Sequence, residues 1–222
     1  MKRFDEMNDK EKLNYLITWK HTGKMEGMVS LSTSVLLNEN CKRNQAVKGS
    51  ICSHCYACAQ LKFYKTQAEK LKKATEFFTS HIIALNDIPL LNVNLFRFEA
   101  FGDLNNSIQV VNYFNIAKMN PEVKFGLWTK NPFIISYAMK EYNIEKPENL
   151  IIILSSMFVN KQYNYDRMKE VYPFIDKVFT VYDEKYIEEN NININCGARN
   201  CFTCKKCYNK DNGIIYLSEK LK

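Results

Sequence analysis

From residue 94 onward, apolar and amphipathic runs alternate in a regular order. "NLFRFEAFGD" (94–103) reads as a strand and "NSIQVVNYFNIAKM" (106–119) as a helix. "VKFGLWTKN" (123–131) is a second strand, followed by "PFIISYAMKEY" (132–142), a helix with Pro132 in its first turn. "NLIIILSS" (149–156) is almost continuously apolar, the mark of a strand buried on both faces. A helix over 161–172, the strand "KVFTVYD" (177–183), a short helix over 184–190 and the strand "GIIYLS" (213–218) complete the series. Upstream, the rhythm predicts an amphipathic helix over 5–20, with Leu13, Leu16 and Ile17 at helical spacing. A buried strand over 27–37 and a long helix over 59–86 follow it.

Strand–helix alternation at this spacing predicts βαβ units and a parallel sheet, hence the α/β class. About six strands are too few to close an eight-stranded barrel. They suit a partial (β/α)6 barrel or an open parallel sheet, and in either the chemistry sits at the carboxyl ends of the strands. No linker divides the chain. Residues 1–191 read as the core and 192–222 as a small Cys-rich, metal-binding appendage.

Composition narrows the picture. With 222 residues, 46% hydrophobic and 13% aromatic, the chain can build a real core, and scarce Gly and Pro argue against repeats or linkers. No stretch approaches the roughly 20 apolar residues of a membrane helix. The charged N-terminus lacks an apolar secretion signal, which predicts a cytoplasmic protein with reduced thiols. The formal charge of +7 is compatible with nucleic-acid binding, although the lysines are spread as on an ordinary solvated surface.

All eight cysteines fall in two groups. Cys41 is followed after ten residues by Cys52, Cys55 and Cys58, a C-x2-C-x2-C run. Cys196, Cys201, Cys204 and Cys207 form C-x4-C-x2-C-x2-C. Clustered thiols in a reducing compartment point to metal ligation. Successive two-residue gaps suit a loop wrapped around an iron–sulfur cluster, whereas zinc ribbons use two separated pairs. The first group therefore reads as iron–sulfur. The tail group reads equally as structural zinc or a closed cluster. His54, between two cysteines, is a further candidate ligand, which its neighbours would turn outward. His21 and His81 carry no motif. No Walker loop, GxGxxG, GxSxG or HExxH is present.

The segment "CSHCYA" behind a distant upstream cysteine resembles the cluster loop of radical S-adenosylmethionine (SAM) proteins. "FRFEAFGDLNN" followed by "NPEVKFGLWTKNP" resembles the phage gene product 88 family and its radical-SAM-like relatives, over roughly residues 25–208. The resemblance implies a 4Fe–4S cluster held by Cys41, Cys52 and Cys55, with SAM on the remaining iron and an external electron donor. It also implies SAM contacts at the strand ends. Spacing departs from the usual CxxxCxxC, and Cys58 is an extra thiol that would close the cluster if it ligates.

The strand ends supply the other candidates. Glu99, Gly102 and Asp103 would hold the SAM amine, with Gly102 allowing close approach; Asp103 could instead cap the next helix. Thr129 and Lys130 end the next strand, Lys130 suiting a carboxylate or phosphate. Ser155 and Ser156 follow, as ribose contacts or helix caps. Arg97 and Glu99, two residues apart on one strand, should share a face. Two classes of function remain: a radical-SAM-like enzyme on an unknown substrate, or a metal-braced binding module, with nucleic acid as a candidate partner.

Overall fold

The computed structural model describes residues 2–20 and 22–221. Among these residues seven strands form one mixed sheet: β1 (Thr18–Trp19), β2 (Val29–Leu31), β3 (Leu95–Phe98), β4 (Lys124–Thr129), β5 (Leu150–Ser155), β6 (Lys177–Tyr182) and β7 (Tyr216–Lys220). Their spatial order is their chain order, β1 to β7. The β1–β2 pair is antiparallel; β2 through β7 run parallel. The helices are α1 (Asp9–Leu16), α2 (Glu39–Ala46), α3 (Tyr56–Phe63), α4 (Lys65–Ser80), α5 (Ser107–Met119), α6 (Pro132–Glu141), α7 (Tyr165–Val171), α8 (Glu184–Asn190) and α9 (Cys201–Cys204). An α/β chain with a mostly parallel sheet was expected from the alternation and is observed. No helix among the described residues is long and apolar enough to cross a membrane.

Winding in one direction gives the sheet two unlike faces. Val29, Leu31, Phe96, Phe98, Phe125, Leu127, Ile152 and Leu154 pack with Phe77, Phe78, Val110, Tyr113, Phe114 and Ile135 from the helices into the main core. Phe98 stacks on Tyr113 at 4.2 Å and on Phe125 at 5.2 Å between ring centres. Alternate residues face the other way: Leu95, Trp128, Ile151, Ile153 and Leu217 pack against Tyr208, Cys207 and Ile214 of the C-terminal segment. All six residues of β5 are buried, as its unbroken apolar run requires.

Several boundaries differ from the sequence pattern, each for a local reason. The strand foreseen over 27–37 pairs only at 29–31, because Ser32, Thr33 and Ser34 leave the ladder to bond elsewhere: the Ser32 hydroxyl accepts from the Ala100 amide, and the Ser34 amide donates to Thr75. The helix foreseen over 5–20 ends at Leu16, where the chain turns into β1. The long helix foreseen over 59–86 is two helices broken at Tyr64 (φ −93°, ψ 80°). Ala57 and Leu61 of α3 belong to a satellite cluster with Val35 and Leu71 from the start of α4, whereas Ala74, Phe77 and Phe78 further along α4 belong to the main core. Two docking directions, with no Gly or Pro between, divide one amphipathic pattern.

The C-terminal segment is not a loose appendage. β7 pairs with β6 over five residues, and the Cys201 amide donates to the Lys24 carbonyl at 2.7 Å. Tyr208 is buried against Gly126, whose lack of a side chain admits it: a Cβ there would lie 2.8 Å from the Tyr208 ring and 2.9 Å from Trp128. Gly126→Ala should therefore lower unfolding free energy by about 1–3 kcal/mol through overpacking. It should also hasten proteolytic cleavage within 192–215. A melting temperature and cleavage rate equal to the parent's would show that β4 does not seat the tail.

Candidate metal and cofactor site

The first cysteine group lies across the carboxyl edge of the sheet. After β2 the chain enters α2, capped by Asn38, whose side-chain oxygen accepts from the Cys41 amide at 2.9 Å. The same side chain donates to the carbonyls of Asp103 (2.8 Å) and Leu104 (3.1 Å), so the cap that places Cys41 is fixed by the loop after β3. Further on, the Ile51 amide donates to the Met157 carbonyl, and Ser50 bridges to Phe158. The loop thus spans the strand ends from β2 to beyond β5. Cys52 lies in a 3-10 turn, Cys55 caps α3, and Cys58 lies in its first turn, packed against Val35, Ala57, Leu61 and Leu71 beside Cys41 and Cys55.

Electrostatics reflect how these thiols crowd together. Burial, then the carboxylates of Asp103 and Glu99, then Cys52 and Cys55, push the Cys41 thiol far above its ordinary range. Burial also raises Cys52; Lys130 pulls it back, while Cys55 and Asp103 push it further up. The charges acting on Cys41 and Cys52 are thus mostly negative, with Lys130 opposing them at Cys52. Beside Cys41, the Asn40 side-chain amide is buried without a partner among the described residues. Thiolate-rich surroundings with an unsatisfied donor suit an inserted cationic group whose sulfurs accept hydrogen bonds. His54 is exposed, as expected.

Glu99 is the centre of a closed network rather than an open ligand. Its carboxylate accepts from the Thr33 amide (3.1 Å), the Thr33 hydroxyl (3.0 Å), Gln109 (2.6 Å) and the Tyr113 hydroxyl (2.5 Å). A left-handed backbone (φ 53°) at Glu99 turns its side chain toward α5, so it does not share a face with Arg97. Arg97 instead stacks on Trp128, 3.9 Å from the ring centre, on the opposite face. The space a Cβ of Gly102 would need is filled by Glu99 and Thr33, so that glycine serves the network. Asp103 does not cap α5, a role taken by Asn106. Its carboxylate accepts from Thr129 (2.6 Å), the Lys130 amide (2.9 Å) and the Leu104 amide (2.8 Å), tying β4 to the loop after β3. Ser155 is buried at the end of β5, and the neighbouring Ser156 hydroxyl pairs with Thr180. Thr33 and Asn38 escaped sequence reasoning; the Asn-x-x-Cys spacing of a helix cap was the one available signal for Asn38.

The tail group has different surroundings. Lys24 donates to the Cys196 sulfur at 3.2 Å and to Glu219 at 2.6 Å. Burial raises Cys201, with Lys24 and Arg97 pulling the other way. Cys207 is pushed up to about 12 by burial and then Cys196, against Arg97. Among the described residues, no three His, Cys, Asp or Glu side chains are gathered tightly enough to grip a single metal ion. Neither group is therefore drawn together as a closed tetrahedral cage among the described residues. His81 bonds Asp9 on the surface, and His21 lies outside the described residues.

Burial pushes the Glu99 carboxyl up to about 7, with the hydrogen bonds from Tyr113 and Thr33 acting in the opposite direction. A carboxyl with a higher pKa folded than unfolded stabilises the native state while protonated; that contribution is whole below pH 4.5 and is lost as pH rises through 7. Parent protein should lose stability relative to Glu99→Gln between about pH 5 and pH 8, by up to about 3 kcal/mol. Parallel denaturation curves at a series of pH values measure this. A difference independent of pH would mean that Glu99 titrates normally.

The gene product 88 family model matches residues 2–220, nearly the whole chain, and the chain belongs to that family. No curated protein and no solved structure matches it.

Proposed function

We propose that this member of the gene product 88 family is an iron–sulfur protein of the radical SAM kind. Cys41, Cys52 and Cys55 would hold three irons of a 4Fe–4S cluster, leaving the fourth iron for SAM, on a sheet that curls as a partial (β/α)6 barrel. One observation carries this reading: a single loop gathers three thiols over the carboxyl ends of parallel strands, beside Asp103 and Lys130. The consecutive strand order supports the barrel, because winding in one direction with right-handed crossovers puts the helices on one side. When bound, the cluster supplies the electron, received from an external donor, that cleaves SAM and begins radical chemistry on a substrate.

The chain's own residues take the remaining roles. Asp103, held by Thr129, fixes the backbone of Lys130. The Lys130 ammonium, which acts on Cys52, suits the SAM carboxylate. Ser155 suits the ribose. Glu99 acts indirectly, by holding Thr33 and the loop that carries the thiols. A second reading is favoured by the position of Cys58, three residues along from Cys55 on the same side of α3. If Cys58 ligates, the cluster is closed, and the protein is a binding or electron-transfer module.

Anaerobically purified protein should be brown and contain iron and acid-labile sulfide. Cys55→Ala should abolish the cluster, Cys58→Ala should retain it, and SAM should perturb the EPR spectrum of the reduced cluster. Colourless protein carrying only zinc would overturn the iron–sulfur reading. A cluster that needs Cys58 and ignores SAM would establish the closed form.

A further inference from the structure

Beyond the thiols, a cavity of about 570 Å3 opens between β2, the turn from α1 into β1, and the break between α3 and α4. Its size is that of a small-molecule site, roughly 300–1,000 Å3. Lys20 and Lys70 line it, and none of its described lining residues is Asp or Glu. Burial lowers both lysines, and each has a cation against it: Arg97 acts on Lys20, and Lys20 acts on Lys70. The Arg97 Nε is buried without a partner among the described residues.

Two further features have the same sign. The first turn of α4, at Lys65, Thr66 and Gln67, lines the cavity, with no side-chain cap and no acidic residue there. A helix of sixteen residues therefore presents its positive end and unsatisfied amides to the space. Aromatic rings frame the mouth: Phe63 is 80% exposed and Tyr64 61%, large apolar areas left open to solvent. Phe101 forms the wall nearest the thiols, with Lys20 4.9 Å above its ring. Clustered cations without counter-charges cost folding energy, and a bound anion would relieve it.

We propose that this cavity binds a phosphomonoester carried on a flat ring, a ligand of the nucleoside monophosphate class. Lys20, Lys70 and the first turn of α4 take the phosphate, while Phe63 and Tyr64 stack on the ring. The site uses none of the cysteines, Lys130 or Ser155, so it stands or falls separately from the cluster.

Calorimetric titration of the purified chain with AMP, adenosine and inorganic phosphate tests it. AMP should bind at least about tenfold more tightly than adenosine. Inorganic phosphate should compete with AMP, SAM should not, and added salt should weaken AMP binding. Lys20→Gln and Lys70→Gln should each weaken AMP about tenfold or more and leave adenosine unchanged. Lys20→Gln should melt no lower than the parent, since it removes a repelled cation; Lys70→Gln also gives up the Lys70 hydrogen bond to the Thr18 hydroxyl (3.0 Å). Equal affinity for AMP and adenosine, or AMP binding that is displaced by SAM and indifferent to both substitutions, would overturn the site. Where a variant fails to fold, the salt titration of the parent decides instead: AMP binding that is indifferent to salt overturns the site as well.

Discussion

Burying Glu99 is the constraint on which the rest of the carboxyl edge depends. A carboxylate taken out of water is costly unless its oxygens are matched by donors. Thr33, Gln109 and Tyr113 supply them, from the segment after β2 and from α5. To reach those donors the backbone at Glu99 takes a left-handed conformation, which ends β3 at Phe98 and sends the following residues across the strand ends. Gly102 follows from this, because no side chain fits beside the Glu99–Thr33 contact. Asp103 then locks the same loop to β4, and its carbonyl receives Asn38, which caps the helix bearing Cys41. A position in the thiol loop is therefore inherited, through three hydrogen-bonded links, from a carboxylate that never faces solvent.

The two cysteine groups occupy opposite electrostatic settings. Around Cys41 and Cys52 the neighbouring charges are mainly negative, from Asp103, Glu99 and the other thiols, with Lys130 acting on Cys52 against them. Around Cys196, Cys201 and Cys207 the neighbours include Lys24 and Arg97. The tail thus carries its own cations beside its thiols. Lys24 shows it directly: burial works against its charge, yet the bonds to Glu219 and Cys196 outweigh burial and hold its ammonium well above the ordinary range. The first group is compensated far less, and an inserted cationic centre would make up the difference.

Much of the architecture was legible in the sequence, because periodicity reports burial. β4, β5 and β6 and the helices α5 and α6 fall within a residue or two of the apolar pattern. Each strand alternates between a helix-facing side and a tail-facing side, or is buried throughout. Legibility fails where tertiary contacts overrule the local pattern. Nothing in "KFYKTQ" marks the break at Tyr64, which turns the chain so that α4 begins on the satellite cluster of α3 and continues into the main core. The i, i+2 rule put Arg97 and Glu99 on one face, and a positive φ, invisible in a non-glycine residue, separated them. The candidate site was named from its cysteine spacing, and the fold brings the first group onto the carboxyl edge of the sheet. It was illegible in Thr33 and Asn38, common polar residues whose importance comes only from what they touch.

Arg97 joins the parts of the inner face that sequence reasoning kept apart. Its guanidinium stacks on Trp128, which packs against Tyr208 of the tail. Its charge acts on Cys201 and Cys207 on one side and on Lys20, at the cavity, on the other. Trp128 sits one pleat beyond Gly126, where the absent side chain lets Tyr208 enter. The tail therefore does more than cover apolar strands: with Trp128 it packs around a guanidinium whose charge reaches both its own thiols and the cavity.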